Sequence, residues 1–162
     1  MDGFERRTEE KKKKVLRAAF DLMNTDTGIE NLTIDAVAKK ANVGKTSIFK
    51  YFGSKEKLIH EVFIRSMDEM GEKAKKIMEK NASFEETLIA MSQNKIDYLE
   101  KINKQFYLDL MSYYTKKEDS GFTRMMEAYT KQSFGIMLDL FHRGRKEGKV
   151  DLKYSDEFLM LY

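Results

Sequence analysis

The chain has 162 residues with 30 Lys and Arg against 27 Asp and Glu, a formal net charge of +3, and neither cysteine nor proline. Without cysteine, disulfide and thiolate chemistry are excluded; no apolar run reaches the roughly 18 residues of a membrane-spanning helix. The basic N-terminus is not followed by a hydrophobic segment, so a secretory signal is not supported and a cytoplasmic location is expected. Abundant Lys, Glu, Met and Leu with no proline favour long helices, and an all-α chain is predicted.

The first predicted helix begins near Thr8, runs through Val15, Leu16, Ala18, Ala19, Phe20, Leu22 and Met23, and stops between Asn24 and Gly28. Lys11 to Lys14 lie at its start, where cations oppose the helix dipole. Two readings stand there: an arm that touches a nucleic-acid backbone or minor groove, and a solvated, partly frayed terminus.

Thr33 is a good N-cap, and Ile34, Val37, Ala38 and Ala41 then place one apolar stripe on a helix of about two turns. Asn42 tolerates the left-handed conformation of a sharp reversal, and Val43 tucks beneath it. Gly44 opens a second helix whose buried edge is Ile48 and Phe52, Gly53 ends it, and Ser54 caps the next. Two short helices with small residues at their crossing match a helix-turn-helix, whose second helix enters the DNA major groove. Lys45, Thr46 and Ser47 occupy the first turn of that helix, where side chains and backbone amides meet a polyanion, and Lys50, Tyr51 and Lys55 extend the surface.

Charge agrees with this placement. Met1 to Lys57 holds 13 Lys and Arg against 9 Asp and Glu, a net of +4, whereas the remainder has 17 against 18, a net of −1. Between Lys39 and Lys57 six lysines face one glutamate, a local field that attracts phosphates.

Leu32-Thr33-Ile34, Ala36-Val37-Ala38, Ala41-Asn42-Val43, Ile48-Phe49-Lys50-Tyr51-Phe52 and Ser54-Lys55-Glu56-Lys57-Leu58 together resemble the TetR family of bacterial transcriptional regulators. The resemblance covers roughly the first third of the chain. It implies a ligand-responsive repressor that binds a palindromic double-stranded DNA operator as a homodimer. It makes Lys45, Thr46 and Ser47 the base-proximal residues and Thr33, Tyr51 and Lys55 the phosphate clamps, with Lys50 adding charge. Phe49 stands where the family commonly has tyrosine; contact with a thymine methyl is one expectation, packing against the first helix the other. Gly44 replaces a common serine.

Ser54 starts a long helix through Leu58, Ile59, Val62, Phe63, Met67, Met70, Ala74 and Ile77 to about Lys80, expected to link head and body. Ser83 and Glu86 form a capping box for the next helix. Its stripe is Phe84, Leu88, Met91, Tyr98 and Ile102, broken by Lys95 and widened by Ile89, Ile96 and Leu99. A further helix holds Phe106, Tyr107, Leu110, Met111 and Tyr114. Ser120-Gly121 punctuates, a long helix runs from Phe122 to about Glu147 with Gly148 at its end, and Ser155 caps an apolar run that stops at Tyr162.

The expected division is thus a helix-turn-helix domain over 1–54, continuing into the linking helix 55–80, and a helical regulatory domain over 81–162. The resemblance leads one to expect further dimerising helices after Tyr162. That shortfall favours the alternative of a helical interaction or scaffold protein that retains the motif without an operator.

The family usually has a ligand cavity in its body, and thioethers with aromatics suit a small apolar or aromatic effector. Met91, Tyr98, Phe106, Tyr107, Met111, Met126, Tyr129 and Met137 are the lining candidates. Lys95 has two readings, a partner for an anionic ligand and a solvent-reaching lysine. His60 and His142, the two histidines, lack companions at ligand spacing and read as surface or core-edge residues, so neither metal, cofactor nor catalysis is expected.

Overall fold

A computed structural model describes residues 3–115 and 120–161, and among these every regular element is a helix. In order they are α1 (Gly3–Met23), α2 (Ile34–Ala41), α3 (Lys45–Phe52), α4 (Lys55–Glu79), α5 (Phe84–Lys101), α6 (Lys104–Thr115), α7 (Ser120–Lys146) and α8 (Asp156–Met160). No helix among the described residues is long and apolar enough to cross a membrane. Tyr162, the end of the predicted apolar run, lies outside the described residues.

The chain divides into two compact units. The first, the head, holds α1, α2, α3, the part of α4 up to Ser66, and α6; the second, the body, holds α4 from Met67 onward, α5, α7 and α8.

The head is built on the apolar faces read from the sequence. Val15, Ala19, Met23, Leu32, Val37, Ile48, Leu58 and Phe63 are fully or almost fully buried. α1 begins at Gly3 rather than near Thr8. Its acidic residues explain the extra length, because Glu10 pairs with Arg6 at 3.8 Å and Glu9 with Lys12 at 3.0 Å across one helical turn. The lysine cluster therefore lies within a formed helix.

α6 also belongs to the head, although the sequence division placed it after residue 80. Phe106 is fully buried, with its ring edge-on to Phe20 at 5.3 Å and to Phe63 at 5.2 Å. The loop after α1 is tied to α6 by two polar contacts: the Ile29 amide donates to Asp109 Oδ2 at 2.9 Å, and the Asn103 amide donates to Asn24 Oδ1 at 2.6 Å. Gly28 has φ +56, and a Cβ there would meet Asp109 Oδ2 at 2.0 Å, so this crossing requires glycine.

In the body, the Ser83 amide donates to Glu86 Oε2 at 3.1 Å and the Glu86 amide to Ser83 Oγ at 3.3 Å, the capping box expected at the start of α5. Arg143 of α7 closes the end of α4, donating to the Met78 and Ala82 carbonyls at 3.3 and 3.0 Å and to Thr87 Oγ1 at 3.1 Å. Gly144 lets α7 approach, since a Cβ there would lie 2.7 Å from Phe84 Cδ2. The expected widening of the α5 stripe does not occur. Ile89, Ile96 and Leu99 are 69%, 48% and 51% exposed, because α5 buries its Phe84, Thr87 and Asn94 side instead.

α8 is capped by Ser155, whose Oγ accepts from the Phe158 amide at 3.2 Å. Asp156 bonds His142 and Arg145 of α7, and those partners hold its carboxyl below the ordinary value.

Candidate nucleic-acid interface

The turn between α2 and α3 is set by local chemistry. Thr33 Oγ1 accepts from the Ala36 amide at 3.1 Å and so starts α2. Asn42 ends it at φ 52 and ψ 48, with its amide reaching the Ala38 and Lys39 carbonyls. Gly44 adopts the extended conformation of an N-cap but supplies no side-chain bond, as its replacement of serine implies. Gly53 ends α3 at φ +82, and Ser54 Oγ then accepts from the Lys57 amide at 3.1 Å to open α4.

α3 buries Ile48, and its remaining residues stay on or near the surface. Lys45, Thr46, Lys50 and Lys55 are exposed, while Ser47 and Tyr51 are half-buried. Phe49 is 45% exposed, which favours the expectation of an outward contact over packing against α1. Tyr51 meets Phe52 edge-on at 6.5 Å. Thr33 uses an oxygen lone pair for its cap, so its hydroxyl proton is still available to a phosphate.

Two features were not readable in sequence. Asp35, in the first turn of α2, pairs with Lys45 Nζ at 2.8 Å on an exposed surface. The ten-residue separation of the two gives no helical spacing signal. In addition, Lys14 and Arg17 of α1 line a groove with Lys40 of α2, and Lys40 is 3.5 Å from Asp21. Lys13, Lys14 and Arg17 also line a groove with Arg65 of α4. Part of the N-terminal lysine cluster thus belongs to a folded basic face on α1, not to a separate arm.

The histidines take different places. His60 is buried beside Glu56, at 3.5 Å, and Tyr113, at 5.4 Å between ring centroids. Tyr113, which donates to Glu56 Oε2 at 3.2 Å, is pushed up to about 12 by burial, with the Glu56 charge adding to it. His142 is exposed against Asp156.

The body contains a cavity of about 210 Å³ within α4, α5 and α7. Met91, Tyr129 and Met137 line it, and so does Lys95. Tyr98 and Met126 are not in its wall, and Met126 is buried in the core. Phe106, Tyr107 and Met111 sit on α6 in the head: Phe106 in the aromatic core, Tyr107 exposed and Met111 half-buried. The aromatic count of α6 was the misleading signal, since composition does not say which unit a helix joins. Met70 and Ala74 of α4, Leu88 of α5 and Ile136 of α7 complete the apolar wall. Tyr129 donates to the Met67 carbonyl at 2.9 Å, and burial pushes its hydroxyl up to about 12. Gly71 leaves room for that ring, since a Cβ would stand 3.3 Å from Tyr129 Cε2.

Residues 15–62 match the family described as bacterial regulatory proteins, tetR family. Over 79 residues the chain is 40% identical to YhgD, an HTH-type transcriptional regulator of Bacillus subtilis (strain 168), covering 49% of this chain and 41% of that protein. The chain thus spans about two fifths of the length of the curated relative it matches.

Among solved structures, the transcriptional regulator FadR from Bacillus subtilis in complex with stearoyl-CoA superposes with a TM-score of 0.67 at 16% identity, over 90% of this chain and 76% of that one. The ketosteroid transcriptional regulator KstR2 of Mycobacterium tuberculosis gives 0.67 at 18% identity, over 92% and 77%. At such identities the likeness shows the fold. The capped α2, the left-handed Asn42 and the outward α3 all lie within residues 15–62, the part of the chain that matches the tetR family of bacterial regulatory proteins.

Proposed function

We propose that the chain is a cytoplasmic, sequence-specific DNA-binding repressor that acts as a homodimer on a palindromic operator and is released by a small apolar or aromatic effector. The observation that carries this reading is the exposed face of α3, with Lys45, Thr46, Phe49 and Lys50 presented from a helix anchored by Ile48. Lys45, Thr46 and Ser47 read bases; Thr33, Tyr51 and Lys55 hold the flanking backbone, with Lys50 adding charge. The amide end of α4 beside Lys55 adds partial positive charge at the same place.

The effector occupies the body cavity lined by Met91, Tyr129 and Met137. A coupling of roughly 1 to 3 kcal/mol between cavity and operator is sufficient for regulation. α4 supplies residues to both units and is the element through which that coupling passes.

A gel shift against the DNA flanking its own gene tests the reading, with sequence-specific retention at physiological salt as the expected result. Lys55→Ala is expected to weaken binding to all duplexes and to reduce the salt slope by about one ion. Ser47→Ala is expected to change sequence preference by about 1 to 3 kcal/mol at one base pair. An unchanged slope together with an unchanged preference removes these assignments.

A further inference from the structure

We propose that the effector is a small organic acid, of one ring or a short chain, whose carboxylate is met by Lys95 at the mouth of the body cavity. This rests on the reading of that cavity as the effector site.

The wall supplies apolar contact from Met70, Ala74, Leu88, Met91, Ile136 and Met137. Its polar groups are largely committed to the protein. Tyr129 donates to the Met67 carbonyl, Asn94 Nδ2 to the Met70 carbonyl at 3.1 Å, and Ser92 Oγ to the Leu88 carbonyl at 2.9 Å. Ser133 shares a side-chain hydrogen bond with Tyr129.

Lys95 differs from all of these. Among the described residues it has neither an ion pair nor a hydrogen-bond partner, and no Asp or Glu lines the cavity. It contributes to the wall while remaining exposed, so a bound ligand would shield its charge only in part from water. A cationic ligand would be repelled, a neutral one would leave Lys95 unused, and an anion would gain a charge-assisted bond where the apolar wall ends.

Size limits the rest of the ligand. The cavity of about 210 Å³ is smaller than the roughly 300 to 1,000 Å³ of drug-sized sites, which favours a single ring or a short chain over a long acyl chain.

The test is calorimetric titration of the intact chain with 4-phenylbutyrate and octanoate, with their uncharged alcohols 4-phenylbutanol and 1-octanol, and with stearate. The acids are expected to bind about tenfold more tightly than the alcohols, and stearate no more tightly than octanoate. Lys95→Met is expected to bring the acids down to the affinity of the alcohols without changing the alcohols, and Lys95→Arg to retain most of the difference. Methyl NMR of Met91 and Met137 locates the probes without altering the cavity.

If acids and alcohols perturb those methyls with equal affinity, or if Lys95→Met leaves the acids unaffected, the anion proposal falls and the cavity reading stands. Tighter binding of stearate overturns the size limit. If no probe binds, or the methyls do not respond, the cavity reading falls and this proposal with it.

Discussion

Head and body are both helical, yet they are specified in different ways. In the head, α2 and α3 are eight residues each and are defined at every end by a local device: the Thr33 cap, left-handed Asn42, Gly44, Gly53 and the Ser54 cap. In the body α5 and α7 are long, and their faces are assigned by distant partners such as Arg143, which reaches Met78, Ala82 and Thr87 from 56 to 65 residues away. Short helices gain little from propensity alone and depend on caps and packing. Long helices form readily, so what remains to be decided is which side they bury.

The largest expected effect concerns α6, which crosses from one description to the other. Phe106→Ala should cost about 3 to 5 kcal/mol and strip hydrogen-exchange protection from α1 and the start of α4. Loss of protection confined to α5 and α7 would instead return α6 to the body, as the sequence division had it.

Next comes the turn. Asn42→Ala should destabilise the head by about 1 kcal/mol, whereas Asn42→Gly should be close to neutral, because the position is left-handed. Equal melting temperatures for the two variants would mean that the left-handed dihedral does not set the cost, since both keep the backbone amide that bonds the Ala38 and Lys39 carbonyls.

The smallest effect is a gain. A Cβ at Gly44 meets nothing within 4 Å, so Gly44→Ser should add a few tenths of a kcal/mol by supplying the absent N-cap oxygen. Unchanged or lower stability in urea titration would show that the serine oxygen makes no cap, since the extended Gly44 backbone suits any residue. The four variants together separate dihedral, cap and packing contributions to the same unit.

The helices and turn of the candidate interface are legible in the sequence because their signals are local. Thr33, Asn42, Gly44, Gly53 and Ser54 each act within four residues of themselves, and Ile48 with the α2 stripe follows helical spacing. The cavity was only partly readable. Met91, Tyr129 and Met137 fall on its wall, but Phe106, Tyr107 and Met111 were grouped with them through composition, which is blind to the fold-back of α6 onto α1. Ile89, Ile96 and Leu99 misled for a related reason. Being apolar, they widened a stripe on paper, while neighbours contributed by α4 and α7 chose a different side of α5.

The order of elements is thus determined by the sequence alone: a helix-turn-helix closed by local caps, a cation-rich stretch around it, and long amphipathic helices after it. Hydrogen bonds, dihedral preferences and 3.6-residue periodicity act over one or two turns and need no partner. Tertiary structure alone decided three things: that α6 packs with the head, that Asp35 holds Lys45, and that Lys95 stands at a cavity with no Asp or Glu in its wall. Each depends on groups brought together from distant positions or different helices, and such contacts exist only once the chain has folded around them.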